Sequence, residues 1–184
     1  MKKFKLIIAA IAILVVAFMP CILNAQDKDR AQDKDKIMHD SRDAKAAFIK
    51  ADPSMQQLFN SSYGYVIFPN VGKGGAIVGG AGGNGTVYQK GKAIGTAKMV
   101  QATVGAQVGG QAYREVIFFE DKEAMDRFKD NKIEFSGQVS AVAAKSGASA
   151  DAKYRDGVKV FTEEKSGLMV EASLGGQKFT YKSL

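Results

Sequence analysis

The chain has 184 residues, 26 Lys and Arg against 19 Asp and Glu, a single histidine and a single cysteine, and a formal charge of +7. One cysteine excludes a disulfide framework and a thiolate metal cluster within the chain. The net basicity is partly a local effect: Lys2, Lys3 and Lys5 stand at the very start, ahead of an uncharged run from Leu6 to Leu23.

A basic start, an apolar run and then Asn24-Ala25 predict a secretory signal peptide over residues 1–25, cleaved after Ala25. Cleavage leaves 159 residues, lowers the charge to +4 and removes Cys21. The rival reading is an uncleaved anchor, since eighteen apolar positions can just span a bilayer. Lipidation at Cys21 is not expected, because Phe18-Met19-Pro20 precedes it where small residues are needed. With the export signal set aside, bulk charge no longer argues for a nucleic-acid partner. Residues 26–36 read as a polar, partly frayed lead-in, and 37–184 as one domain, large enough to bury a core without a metal or disulfide.

Glycine divides the rest. All 20 glycines lie at or beyond Gly64, and glycine is costly inside helices, so the region before Tyr63 is free to be helical. Ile37, Ser41, Ala44, Phe48 and Ala51 recur at helical spacing and form one narrow apolar stripe. At about 100° per residue, Lys34, Arg42 and Lys45 fall on one flank of that stripe and Asp33, Asp40 and Asp43 on the other. An apolar stripe with a basic shoulder suits an anionic lipid surface. The plainer reading is that the stripe packs on the sheet while the charges solvate the helix. Asp52-Pro53 should end this helix and start a short second one, with Asp52 as its N-cap.

From Tyr63 the pattern turns to strands. Tyr63–Phe68 is expected to close at Pro69-Asn70, and Gly75–Gly83 with its continuation Thr86–Gln89, Ala93–Gly105 and Tyr113–Phe119 follow. Asn84-Gly85 and Lys90-Gly91 have the residue types of tight turns. Fourteen glycines between Gly64 and Gly110 mark bends and close backbone approaches, so the sheet should be strongly curved or a partial barrel. Asp121–Lys129 reads as a helix with Ala124, Met125 and Phe128 inward. Phe135–Val142 alternates, Val158–Thr162 and Leu168–Leu174 suggest a hairpin, and Phe179–Tyr181 a last strand. The fold class is α+β, N-terminal helices packed on a strongly curved, glycine-rich antiparallel sheet or partial β-barrel.

Chemical motifs fail on context. Gly80-Ala-Gly82-Gly-Asn-Gly85 spells a dinucleotide fingerprint, yet a strand signal follows where a helix must open. His39 is far in sequence from any metal-ligand spacing, and no nucleophile elbow or zinc-protease motif occurs. No catalytic residue, cofactor or metal is expected, and binding is the expected work. Lys90 and Lys92 flank a turn and should be exposed.

Several ordered blocks carry a resemblance. Gly64-Tyr-Val-Ile-Phe-Pro-Asn-Val-Gly-Lys-Gly-Gly75, Gly79-Gly80, Val104-Gly-Ala-Gln-Val-Gly-Gly-Gln111 and Gly167–Phe179 resemble the SYLF-domain family over about residues 37–184. The resemblance implies a lipid-binding module that in eukaryotic relatives recognises phosphoinositides and is coupled to actin, with an amphipathic N-terminal helix at the membrane. It places that helix at Lys34–Phe48 and makes Lys73 a motif position. An export signal and the lack of attached signalling modules shift the expected partner to anionic bacterial phospholipid and away from actin. The site residues are then Lys34, Arg42, Lys45, Lys73, Lys90 and Lys92, on a periplasmic or secreted protein peripheral to a membrane. The alternative is a structural or protein-interaction module that meets an envelope protein.

Overall fold

Side chains of a strand point to opposite faces in turn, and in the middle of this chain both faces are apolar. Tyr65 and Ile67 look one way, Val66 and Phe68 the other, and all four are buried. Such a strand needs cover on both sides. The computed structural model, which describes residues 31–75, 78–104, 111–133, 141–165 and 176–184, provides it.

Helix α1 spans 31–51 and α2 Met55–Ser61. Strands β1 (Gly64–Gly75), β2 (Val78–Gln89), β3 (Lys92–Val104) and β4 (Gln111–Phe119) follow, then α3 (Lys122–Lys129), β5 (Val142–Ala143), α4 (Ala148–Asp151), β6 (Val158–Glu164) and β7 (Gln177–Ser183). The strands form one open sheet in the order β5-β6-β4-β1-β2-β3-β7, antiparallel except for the short β5–β6 pair. The architecture is α+β, as expected. Residues 37–184 group as one unit, and the first turns of α1, residues 31–36, fall outside it.

On one face α1 and α2 set Ala44, Phe48, Met55 and Phe59 against Tyr65, Ile67, Val116, Phe118 and Phe161. The predicted stripe is the one used: Ser41, Ala44 and Phe48 are buried. Truncating a buried Phe such as Phe48 costs about 3–5 kcal/mol. On the other face α3 contributes Ala124, Met125 and Phe128, the residues read as inward from the sequence. Asp121 caps that helix, accepting a bond from the Ala124 amide at 2.9 Å.

The sheet is strongly curled. Strands β1 and β7 are three steps apart, roughly 14 Å if the sheet were flat, yet the Phe68 and Phe179 rings meet at 5.9 Å. Strands β4 and β7 are four steps apart, and Gln177 still donates to Glu115 at 3.0 Å. The inner face is therefore a trough whose last strand folds back over the first ones.

Three expectations change. Strand β1 does not close at Pro69-Asn70: it runs to Gly75, with its register slipping on both sides between Ile67 and Val71. Proline lacks the ladder N–H, and a bulge accommodates it without ending the strand. Asn84-Gly85 is no turn but the interior of β2, paired with Asn70 on one side and with Lys98 and Ala97 on the other. A Cβ at Gly85 would lie 2.4 Å from the Ile67 carbonyl and 2.8 Å from the Phe68 ring, so close approach, not turning, demands that glycine. The N-cap position of α2 is Ser54, and Asp52 has another task. The Lys90-Gly91 turn is as expected, with φ of 49° and 76°. The alternation at Phe135–Val142 reaches the described residues only at its end, where Val142 opens β5; Leu168–Leu174 lies outside them.

Candidate functional site

Helix α1 is fastened to the sheet at its middle. Ser41 donates to Thr86 of β2 at 3.0 Å. One turn on, the Lys45 ammonium lies 4.7 Å from the centre of the Phe59 ring and 5.3 Å from that of Tyr65, and donates to the Tyr65 hydroxyl at 3.3 Å. Burial lowers the pKa of this ammonium, and cation–π contact with two rings offsets part of the lost hydration. Tyr65 stacks on Tyr88 with ring centres 4.9 Å apart. Burial, then the neighbouring Tyr88, pushes the Tyr65 hydroxyl up to about 12.

These contacts locate the predicted residues. Arg42 is exposed, and its charge acts on the Tyr88 hydroxyl. Lys90 and Lys92 are exposed on the turn that starts two residues past Tyr88. Arg42, Lys45, Lys90 and Lys92 thus gather at one end of β1 and β2. Lys45 differs from the other three, because its ammonium already faces two aromatic rings. Lys73 is elsewhere: it pairs with Ala81 and Gln111, eight residues along β1 from Tyr65, or roughly 26 Å at strand rise. Lys34 stands in the first turns of α1, outside the unit 37–184.

The apolar stripe of α1 is already occupied by the sheet, so it is the charged remainder of the helix, Arg42 included, that faces water. Among the described residues no helix is long and apolar enough to cross a membrane, and no cluster of three or more His, Cys, Asp or Glu side chains could hold a metal. His39 pairs with Asp43 at 3.4 Å, but both are about 70% exposed on the helix surface.

Comparison with known proteins covers the two later blocks read in the sequence, Val104–Gln111 and Gly167–Phe179. The family model described as "Ysc84: Las17-binding protein actin regulator", which is the SYLF domain, matches residues 100–183. A relative from Aeromonas veronii, "Beta cell expansion factor A", is 32% identical over 127 residues. The chain carries a SYLF domain. SYLF domains are binding domains, and the family is known for lipid binding. The aligned region is 69% of this chain but only 49% of the Aeromonas protein, so about half of that relative has no counterpart in the match.

Within this SYLF domain, sequence reasoning missed two buried acids. Asp52, at the end of α1, accepts bonds from the Ser54 amide and hydroxyl and, across the chain, from the Gly147 and Ser149 amides. Burial pushes its carboxyl up, but the bonds from Ser54 and Ser149 prevail and hold it down to about 2. Its reach of 95 and 97 residues has no local signature; only the general scarcity of buried aspartate next to Pro53 hinted at a special role. Glu115 lies wholly inside the trough, and burial pushes its carboxyl up to about 7 against the opposing bond from Gln177. Its strand position, two residues from the inward-facing Ile117 and Tyr113, was legible as inward.

Proposed function

We propose that this SYLF domain binds anionic phospholipid peripherally, through the exposed cations at the Tyr88 end of the sheet. The observation that carries this reading is the placement of Arg42, Lys90 and Lys92 in water at one end of β2, beside a helix whose apolar stripe is already buried. Binding is then electrostatic and superficial rather than insertional. Each cation near an anionic leaflet contributes about 1 kcal/mol. Three of them stay short of the roughly 4 kcal/mol that corresponds to a millimolar dissociation constant. The domain should therefore sit loosely on a membrane and leave it as salt rises.

A signal peptide over residues 1–25 fits this use, since an exported chain meets bacterial leaflets rather than phosphoinositides or actin. The periplasm, or the outside of the cell, is the location that follows. Co-sedimentation with vesicles tests the reading. The protein should pellet with phosphatidylglycerol vesicles at low salt and be released by a severalfold rise in salt. Arg42→Glu, Lys90→Glu and Lys92→Glu together should abolish pelleting and leave the thermal midpoint within about 2 °C. Equal recovery with neutral phosphatidylcholine vesicles would remove the lipid reading and leave the protein-interaction module in its place.

A further inference from the structure

Inside the trough, one polar pair is only half bonded. Glu115 on β4 and Gln177 on β7 are both buried, and the Gln177 amide donates to Glu115 Oε2 at 3.0 Å. The two atoms left over, Glu115 Oε1 and Gln177 Oε1, are buried without a partner. An ionised carboxylate and an amide carbonyl can only accept. While Glu115 is charged, both oxygens are therefore acceptors lacking a donor, a state that packed interiors rarely tolerate. A single proton on Oε1 removes both faults, because it turns Glu115 into a donor and gives the amide oxygen something to accept.

The pair also joins strands that are not neighbours. Strand β7 ends the sheet and takes its ladder from β3 over Gly95–Gln101. Across the trough it is held by the Phe179 ring on Phe68 and Phe128 and, at its first residue, by the bond to Glu115. We infer that Glu115 and Gln177 form a proton-operated latch: the neutral acid and the amide clasp each other by two bonds and hold β7 over the trough, and loss of the proton lets β7 detach locally while the central strands stay folded.

The described groups on this face leave the titration to an acid. Burial, then the charge of Glu115, pushes the Tyr113 hydroxyl up, so it keeps its proton. Glu164, opposite Tyr113 on β6, is the other acid there, and its Oε2 is also buried without a partner. Thr162 of β6, Phe68 of β1, Gln101 of β3 and Phe128 of α3 offer nothing that titrates. Lys73 stands opposite Gln111, four residues along β4 from Glu115 and roughly 13 Å away at strand rise. Burial pushes the Glu115 carboxyl from 4.5 up to about 7 against the opposing bond from Gln177. Between those values the closed latch holds a proton that the open one releases, so closure weakens as pH rises through that window and levels off above it.

The test is hydrogen–deuterium exchange of the whole chain followed by NMR, with protection corrected for intrinsic exchange, alongside the carboxyl carbon resonance of Glu115. Amides of β7 should be at least about tenfold less protected than those of β1 and insensitive to low urea, the mark of local opening. Their protection should fall about tenfold per pH unit within the window and then level off, and the Glu115 carbon should titrate over the same range. Glu115→Gln carries no titratable proton and should make local β7 opening independent of pH. Glu164→Gln should leave the fall unchanged, which separates the two acids. The latch is overturned if β7 protection equals that of β1 and shares its urea dependence, or if the Glu115 carbon titrates in the ordinary carboxylate range. A fall that survives Glu115→Gln overturns it equally. The first two readouts use the unsubstituted chain, so they decide even where Glu115→Gln fails to fold.

Discussion

Glu115 and Asp52 are both fully buried carboxylates, and their surroundings push them in opposite directions. Glu115 gains one bond, from Gln177, and its other oxygen has no partner among the described residues. Its carboxyl sits at about 7 in the fold against 4.5 for the ordinary value. Between those values the folded state holds a proton that the unfolded chain releases, so stability falls as pH rises through that window. The difference corresponds to about 3 kcal/mol at pH 8. Glu115→Gln should therefore raise the thermal midpoint by several degrees at pH 8 and change it little at pH 5, as read by thermal denaturation. Asp52 behaves conversely. Its carboxyl lies near 2, so its contribution is complete above the ordinary carboxylate range and disappears only as pH falls toward 2. Asp52→Ala, which strands the buried Ser149 amide, should cost about 3 kcal/mol at neutral pH. Denaturant titration measures that loss directly.

At the scale of elements, the first helix shows what periodicity can and cannot reveal. The stripe of Ser41, Ala44 and Phe48 was legible because burial follows the 3.6-residue period wherever one face meets a sheet. The fate of Lys45 was not, since its two rings come from α2 and β1, 14 and 20 residues away. A charge on the shoulder thus became part of the packing, while Arg42 beside it stayed exposed. The strands teach a similar lesson. Asn84-Gly85 has the composition of a turn, but composition reports only that a Cβ is unwelcome. Whether the reason is a positive φ or a carbonyl at 2.4 Å is settled by the neighbouring strand. Gly85→Ala should accordingly cost about 2–3 kcal/mol through overpacking against β1. Gly72→Ala, where a Cβ meets nothing within 4 Å, should be neutral or slightly stabilising. The pair of variants, compared by chemical denaturation, separates crowding from conformation.

For the whole molecule, the sheet order matters more than the strand list. The fold class was readable from the switch of period at Tyr63, and the curl from glycine density. The order β5-β6-β4-β1-β2-β3-β7 was not readable, because nothing in a strand's own residues names a partner distant in sequence. That order puts β1 at the centre, between β4 and β2, although the family match covers only residues 100–183. A fragment of residues 100–184 would contain β4 with no β1 beside it and only the last part of β3. It should lack a dispersed amide spectrum and show far-ultraviolet dichroism of an unfolded chain. A folded fragment would mean that the strands re-pair without their central neighbours.

The return of β7 over the trough has a temporal side. Phe179 closes on Phe68 and Phe128, yet its strand, β7, follows the other six described strands in the sequence. During synthesis, every earlier strand emerges while the inner core still faces water. Non-local closure of this kind is slow and leaves an aggregation-prone species exposed until β7 arrives. A nascent chain whose β7 has not yet emerged would therefore hold an unsealed domain, a natural client for a holding chaperone, and emergence of β7 would end that dependence.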